Sequence, residues 1–186
     1  MQAQAVYTDA DVKKLLQTVR IVTDTREQNN KHITDYLNKR GIDTESRKLD
    51  VGDYAALLPA DPSMGIVTDM LFPMRIERKN SIDELASSIK DRTRFESELI
   101  RSGPFLFSVM VEDEQGFSNM LSGNYRSEYQ PQALIGSLQT FESRYGFNTV
   151  YIGKQDAGAY LYTKLLYHAR NAIKSNYLNY KKGMIL

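Results

Sequence analysis

Hydrophobic and polar positions follow two rhythms along the chain, one of period near 3.6 and one of short apolar runs. Thr8 precedes Val12, Leu15, Leu16 and Val19 at helical spacing, with Asp9 and Asp11 in the first turn. This predicts a capped helix with acids at the positive end of its dipole. Ile21-Val22-Thr23 reads as a short buried strand ending at Asp24. Residues 30–40 are helical by pattern, with Ile33, Tyr36 and Leu37 on one face, and Gly41 is the stop. Residues 42–49 alternate poorly and lead into a strand over Val51 to Leu58. Pro59 through Gly65 is turn chemistry. Ile66 to Met70 and Phe72 to Ile76 read as extended, giving a hairpin or a three-stranded meander between 51 and 79.

Ser81 followed three residues on by Glu84 matches a capping box ahead of Leu85 and Ile89. A charged helical stretch with Phe95 and Leu99 runs to Ser102, where Gly103-Pro104 breaks it. Phe105 to Val111 is a near-continuous apolar run, the pattern of a central strand buried on both faces. Gly116 to Gln130 is irregular or weakly helical, Pro131 to Tyr145 helical, Asn148 to Ile152 a last strand, and 156–174 a helix. Strands alternating with helices predict an α/β fold, a central mixed β-sheet flanked by helices.

Composition narrows the chemistry. The 186 residues suit one compact domain. A net charge of +1 places no global basic surface on the chain, so any nucleic-acid footprint is local. There is no cysteine, which excludes disulfides, thiolate catalysis and Cys-type zinc sites. The two histidines, His32 and His168, are far apart in sequence and read as surface or partly buried polar residues. Metal chemistry therefore rests on carboxylates, which favour Mg²⁺, Mn²⁺ or Ca²⁺. The N-terminus has no basic region followed by an apolar run, and the longest apolar stretch is too short to span a bilayer. A soluble, cytoplasmic protein with no membrane partner is expected, nuclear if eukaryotic.

The chemistry-bearing stretch is Arg75-Ile76-Glu77-Arg78-Lys79-Asn80-Ser81-Ile82-Asp83, with Gly52-Asp53-Tyr54 upstream at the head of another strand. Neighbouring strands lie about 4.8 Å apart, close enough for Asp53 and Glu77 to share one ion; both can equally be solvated strand-end acids. Lys79 lies two residues after Glu77, so the two share a face and Arg78 points to the other. A lysine beside a metal-binding acid suits phosphodiester hydrolysis, although the pair can also be a simple surface ion pair. An unperturbed lysine has a pKa of about 10.4, which makes Lys79 a positioning and electrostatic group rather than a base.

These residues resemble the central motif of the XPF family of structure-specific DNA endonucleases, a branch of the restriction-endonuclease-like superfamily. The resemblant blocks are Gly52-Asp53, then Glu77-Arg78-Lys79, three residues, and Asp83. Val22-Thr23-Asp24-Thr25-Arg26-Glu27 is similar to the family's early strand, and Ser87 to Phe95 to the helix after the motif. The resemblance spans roughly residues 20–172. It implies a restriction-endonuclease-like nuclease fold over 20–174, preceded by a helical extension over 1–19 and followed by a tail over 175–186 in place of the family's tandem helix-hairpin-helix domain.

By the same resemblance, Asp24, Asp53 and Glu77 are the metal-side carboxylates and Lys79 the catalytic lysine, with Arg26, Glu27, Arg78 and Asp83 in support. Asp83 can also serve only the helix dipole, and Arg26 and Glu27 can merely orient each other. Arg94 takes the place of the family's arginine if one residue is inserted, and Glu98 stands where many relatives carry glutamine, a difference expected to matter little. In the tail, Tyr177 and Tyr180 with Lys181 and Lys182 can stack on bases and neutralise phosphate; fraying is the plainer reading. The expectation is a Mg²⁺-dependent endonuclease, with Mn²⁺ able to substitute, cutting DNA near flaps, forks or junctions. Its implied partners are branched DNA, a second copy in a homodimer, and a protein that supplies DNA grip. The competing expectation is a non-catalytic DNA-binding or assembly subunit. A nucleotide-binding domain is disfavoured because neither standard Gly-rich phosphate loop is present.

Overall fold

The computed structural model describes residues 7–175. Its frame is a seven-stranded mixed sheet of β1 (Arg20–Thr23), β2 (Thr44–Ser46), β3 (Tyr54–Leu58), β4 (Met70–Leu71), β5 (Met74–Lys79), β6 (Leu106–Val111) and β7 (Asn148–Tyr151). The spatial order is β2-β1-β3-β5-β6-β7, with β4 paired to β3. The helices are α1 (Asp9–Leu16), α2 (Lys31–Lys39), α3 (Ile82–Lys90), α4 (Arg92–Ser102), α5 (Gly116–Ser122), α6 (Pro131–Tyr145) and α7 (Ala157–Lys174). The mixed sheet with helices on both faces is the expected architecture.

The apolar run ending at Val111 becomes β6, flanked by β5 and β7 in parallel. Its alternate side chains feed two cores. Phe107, Val109 and Val111 pack with Leu85, Leu99, Leu138 and Phe141 from α3, α4 and α6. Met110 packs on the other face with Leu37 of α2 and Leu161 and Leu165 of α7. A strand enclosed on both faces has no position left for a polar alternation, which is why the run reads as continuous.

The N-terminal helix belongs to this second core. Thr8 and Asp11 form a reciprocal capping box, and Val12 and Leu15 are buried in the same cluster as Ala169 and Ile173 of α7.

Two stretches differ from the pattern-based expectation. Between 51 and 79 the chain makes a hairpin: β4 and β5 both run antiparallel to β3, as successive pieces of one return limb interrupted at Phe72 and Pro73. Ile66 to Asp69 forms no named strand, because Pro62–Met64 makes a single 3₁₀ turn that Gly65 closes at φ 77°. The helical stretch from Ser81 to Ser102 is two helices rather than one. Asp91 leaves helical geometry at ψ 65°, and its side chain accepts from Arg94 N to cap α4. Among the described residues no helix is long and apolar enough to cross a membrane.

Candidate active site

The site forms where β3 begins and β5 ends. Gly52 sets the approach: its φ of 73° belongs to the left-handed region, and a Cβ there would sit 3.1 Å from Arg75 Cβ. That turn brings Asp53 against β5. Asp53 N donates to Ile76 O at 2.9 Å, and Arg78 N donates to Asp53 Oδ2 at 2.8 Å. Asp24 closes the other side, its N donating to Asp53 O at 2.7 Å. The sheet thus carries three acids, Asp24, Asp53 and Glu77, on the adjoining ends of three strands.

Alternation along β5 divides the motif between the two faces. Lys79 Nζ donates to Glu77 Oε1 at 2.6 Å, both side chains being nearly buried. Burial pushes Asp53 up to about 8, with the charge of Glu77 adding to it. Burial works against the charge of Lys79, yet Glu77, Glu98 and Glu84 outweigh it and raise its pKa. Lys79 is therefore a firmly held cation.

Arg78 points to the opposite face, as the two-residue period requires. Its Nε and Nη2 grip Glu112 at 2.7 and 2.8 Å, and its Nη1 reaches Glu27 at 3.2 Å. Glu112 also meets His32 Nε2 at 2.5 Å. Burial opposes ionisation of Glu112, but Arg78 and His32 hold its carboxyl below the usual glutamate value. Glu27 is raised, by burial first.

The remaining motif residues occupy distinct positions. Asp24 is buried, with Oδ1 accepting from Arg26 N and Nε at 2.9 and 2.6 Å and Oδ2 from Leu49 N at 2.6 Å. Burial resists its ionisation, and these hydrogen bonds keep its pKa low nonetheless. Arg26 is mostly exposed, and the charges of Asp53 and Glu77 act on it as well as that of Asp24. Asp83 stands in the first turn of α3 and bonds Arg126 of the 123–130 loop rather than the Asp53–Glu77 pair. Arg94 is exposed in the first turn of α4. Lys181 and Lys182 lie outside the described residues.

Two participants escaped the sequence reading, and Glu98 of α4 figured in it only as a departure from relatives. Burial, together with the charge of Glu77, pushes Glu98 up to about 7. Glu112 sits one residue past β6, at the carboxyl end of a parallel strand, where functional groups gather in α/β folds; that placement is a usable signal. Arg126 carries none, because its partner is 43 residues away.

Among the described residues no three Asp, Glu or His groups are placed to enclose an ion on their own. Asp53 and Glu77 supply two carboxylates, the number with which Mg²⁺ is commonly held while it keeps several waters.

The fold is shared with solved structures. XPF from Aeropyrum pernix matches with a TM-score of 0.56 at 18% identity, over 82% of this chain and 64% of that one. XPF from Aeropyrum pernix in complex with DNA matches with a TM-score of 0.57 at 19% identity, over 84% of this chain and 66% of that one. The chain thus spans slightly less than two thirds of these relatives' lengths. No curated protein matches it. The ERCC4 domain matches residues 23–165, a span that includes Asp24, Asp53, Glu77 and Lys79, and the chain belongs to the ERCC4 domain family, that of the XPF nucleases.

Proposed function

We propose that the chain is a Mg²⁺-dependent endonuclease that hydrolyses a phosphodiester bond near a branch in DNA, with Mn²⁺ able to replace Mg²⁺. The observation that carries the proposal is the gathering of Asp53 and Glu77 beside a buried, charged Lys79. A cluster of acids is costly to keep, and Asp53 and Glu77 are the residues that would hold a divalent cation, which would offset that cost. When bound, such an ion would supply an activated water and charge stabilisation for the phosphate.

The chain's own groups do the rest. Lys79, held charged by three surrounding glutamates, neutralises charge on the phosphate oxygens and is not a base. Asp24 is occupied by Arg26 and Leu49, so its part is to aim the exposed Arg26 guanidinium at the rim of the site and to keep the strand ends in register. Arg78, fully engaged by Glu112 and Glu27, fixes the backbone that carries Glu77 and Lys79. Branched DNA is the proposed substrate. A second copy of the chain or another protein shares the grip on it, in keeping with a net charge of only +1.

Cleavage of 5′-labelled duplex, single-strand, flap, fork and four-way-junction DNAs with Mg²⁺, Mn²⁺ or EDTA tests the proposal. The expected outcome is metal-dependent cutting confined to branched substrates. Glu77→Gln, Asp53→Asn and Lys79→Ala should each lower the rate at least about a hundredfold. Cutting at an undiminished rate by Glu77→Gln refutes the site. Branch binding without any cutting identifies a non-catalytic DNA-binding or assembly subunit instead.

A further inference from the structure

Asp83 and Arg126 are 43 residues apart in sequence and meet through two bonds. Arg126 N donates to Asp83 Oδ1 at 2.7 Å, and Arg126 Nε donates to Oδ2 at 3.0 Å. Asp83 lies in the first turn of α3, which leaves β5 directly after Lys79. That turn adjoins the site: Glu84 accepts from Asn80 N at 2.9 Å, and its charge acts on both Lys79 and Glu27. One carboxylate, four residues after the proposed catalytic lysine, therefore fixes both the backbone and the guanidinium of an arginine.

We infer that Arg126 binds a backbone phosphate of the DNA next to the one that is cut, and that Asp83 is the positioning residue that aims it. The inference rests on the nuclease activity proposed above. Arg126 is 93% exposed in its side chain, and Asp83 engages only its Nε, leaving both terminal nitrogens facing solvent. A guanidinium presented in this way is a ready donor pair for phosphate.

Stability does not account for the arrangement. Ion pairs this exposed contribute little to folding, and a plain helix-dipole role for Asp83 needs neither bond to Arg126. The loop that carries Arg126 is braced. Gly123 ends α5 at φ 72°, Tyr125 Oη donates to Tyr129 O at 2.6 Å, and the Tyr129 hydroxyl meets Ser137 Oγ at 2.9 Å. Asp83 follows Lys79 by four residues, across the turn from β5 into α3. A DNA strand carries a phosphate about every 3.4 Å of axis. The arginine that Asp83 holds is thus placed to meet a phosphate flanking the one that is cut.

Fluorescence anisotropy of a labelled fork DNA, titrated at several NaCl concentrations in a Glu77→Gln background that halts cutting, tests the inference. Arg126→Ala should weaken binding about tenfold and reduce the slope of log affinity against log salt by about 1. Asp83→Ala should cause a similar loss, and the double variant should add little to either. Arg126→Lys should restore the salt slope. Asp83→Asn keeps an acceptor for Arg126 N, and it replaces Asp83→Ala if that variant melts early. An Arg126→Ala variant with unchanged affinity and salt slope overturns the inference and leaves the nuclease proposal standing, as do losses from Asp83 and Arg126 that simply add. Failure of the Glu77→Gln chain and of the unaltered chain to bind any DNA overturns the nuclease proposal, and this inference with it.

Discussion

At the scale of single residues, Glu112 decides how firmly the motif strand is held. Its carboxylate is fully buried and receives two bonds from Arg78, itself 4% exposed in its side chain, and one from His32. Removing one member of a buried ion pair strands the other, at a cost of about 3–5 kcal/mol. Glu112→Gln should therefore lower the unfolding free energy read from urea titrations by an amount of that order. The pH dependence has a definite sign. The folded carboxyl sits below its ordinary value of 4.5, so its contribution is complete above that pH and fades as pH falls through the lower folded value. Below pH 4.5 the gap between the native chain and Glu112→Gln should narrow; urea melts at pH 7, 4.5 and 3 measure it. A gap that widens on acidification removes Glu112 from this role. Sequence made Arg78 legible as an outward partner of Glu77 and Lys79, because a two-residue period suffices for that. It did not expose Glu112 or Arg126, because each joins the site through a tertiary approach from a separate element. Glu98 was legible only as a departure from relatives, and its burial beside the charge of Glu77 is a property of the fold.

At the scale of elements, the turn into β3 sets where Asp53 stands. Gly52 meets both requirements that exclude a side chain, a φ of 73° and a close approach to Arg75 Cβ and to Ile76 O, at 3.1 and 3.3 Å from where a Cβ would be. Gly52→Ala should cost about 1–3 kcal/mol in strain and crowding. It should also reduce DNA cleavage further than the stability loss explains, because Asp53 must move with the turn. Gly41→Ala is the matched control: its φ is 64°, and a Cβ there meets nothing within 4 Å. Equal effects of the two substitutions on cleavage would show that the contact with β5 is irrelevant. Most elements were readable because their rhythm is set by one buried face. Helix α6 starts at Pro131 and ends before Gly146, and β6 follows its apolar run. The clearest misread place has a local side-chain cause stronger than periodicity: Asp91 caps a new helix within a continuous charged pattern, whereas the turn at Pro62 lies inside the stretch read as turn chemistry.

At the scale of the whole molecule, the proposed metal site ties together the ends of three strands of the central sheet, so occupancy of that site should be visible in global stability. A ligand that binds only the folded chain stabilises it by RT ln(1 + [L]/Kd), about 2.7 kcal/mol at a hundredfold excess over Kd. For a domain of this size each kcal/mol moves the melting temperature by roughly 2–4 °C. Calorimetric melts at rising Mg²⁺ should therefore show an upward shift of several degrees that saturates, with Mn²⁺ acting at lower concentration. Asp53→Asn relieves part of the repulsion within the cluster, so its metal-free form should melt at or above the native chain. Glu77→Gln strands the buried Lys79 and should melt lower. Both should respond weakly to Mg²⁺. Lys79→Ala separates charge stabilisation of the phosphate from ion holding, since it should retain the Mg²⁺-dependent shift while losing cleavage. A native chain whose melting is indifferent to both cations, or an Asp53→Asn variant that responds as fully as the native chain, places the ion elsewhere or nowhere. Activity loss in the same variants would then have to come from the carboxylates' contacts with Arg78 and Lys79 alone.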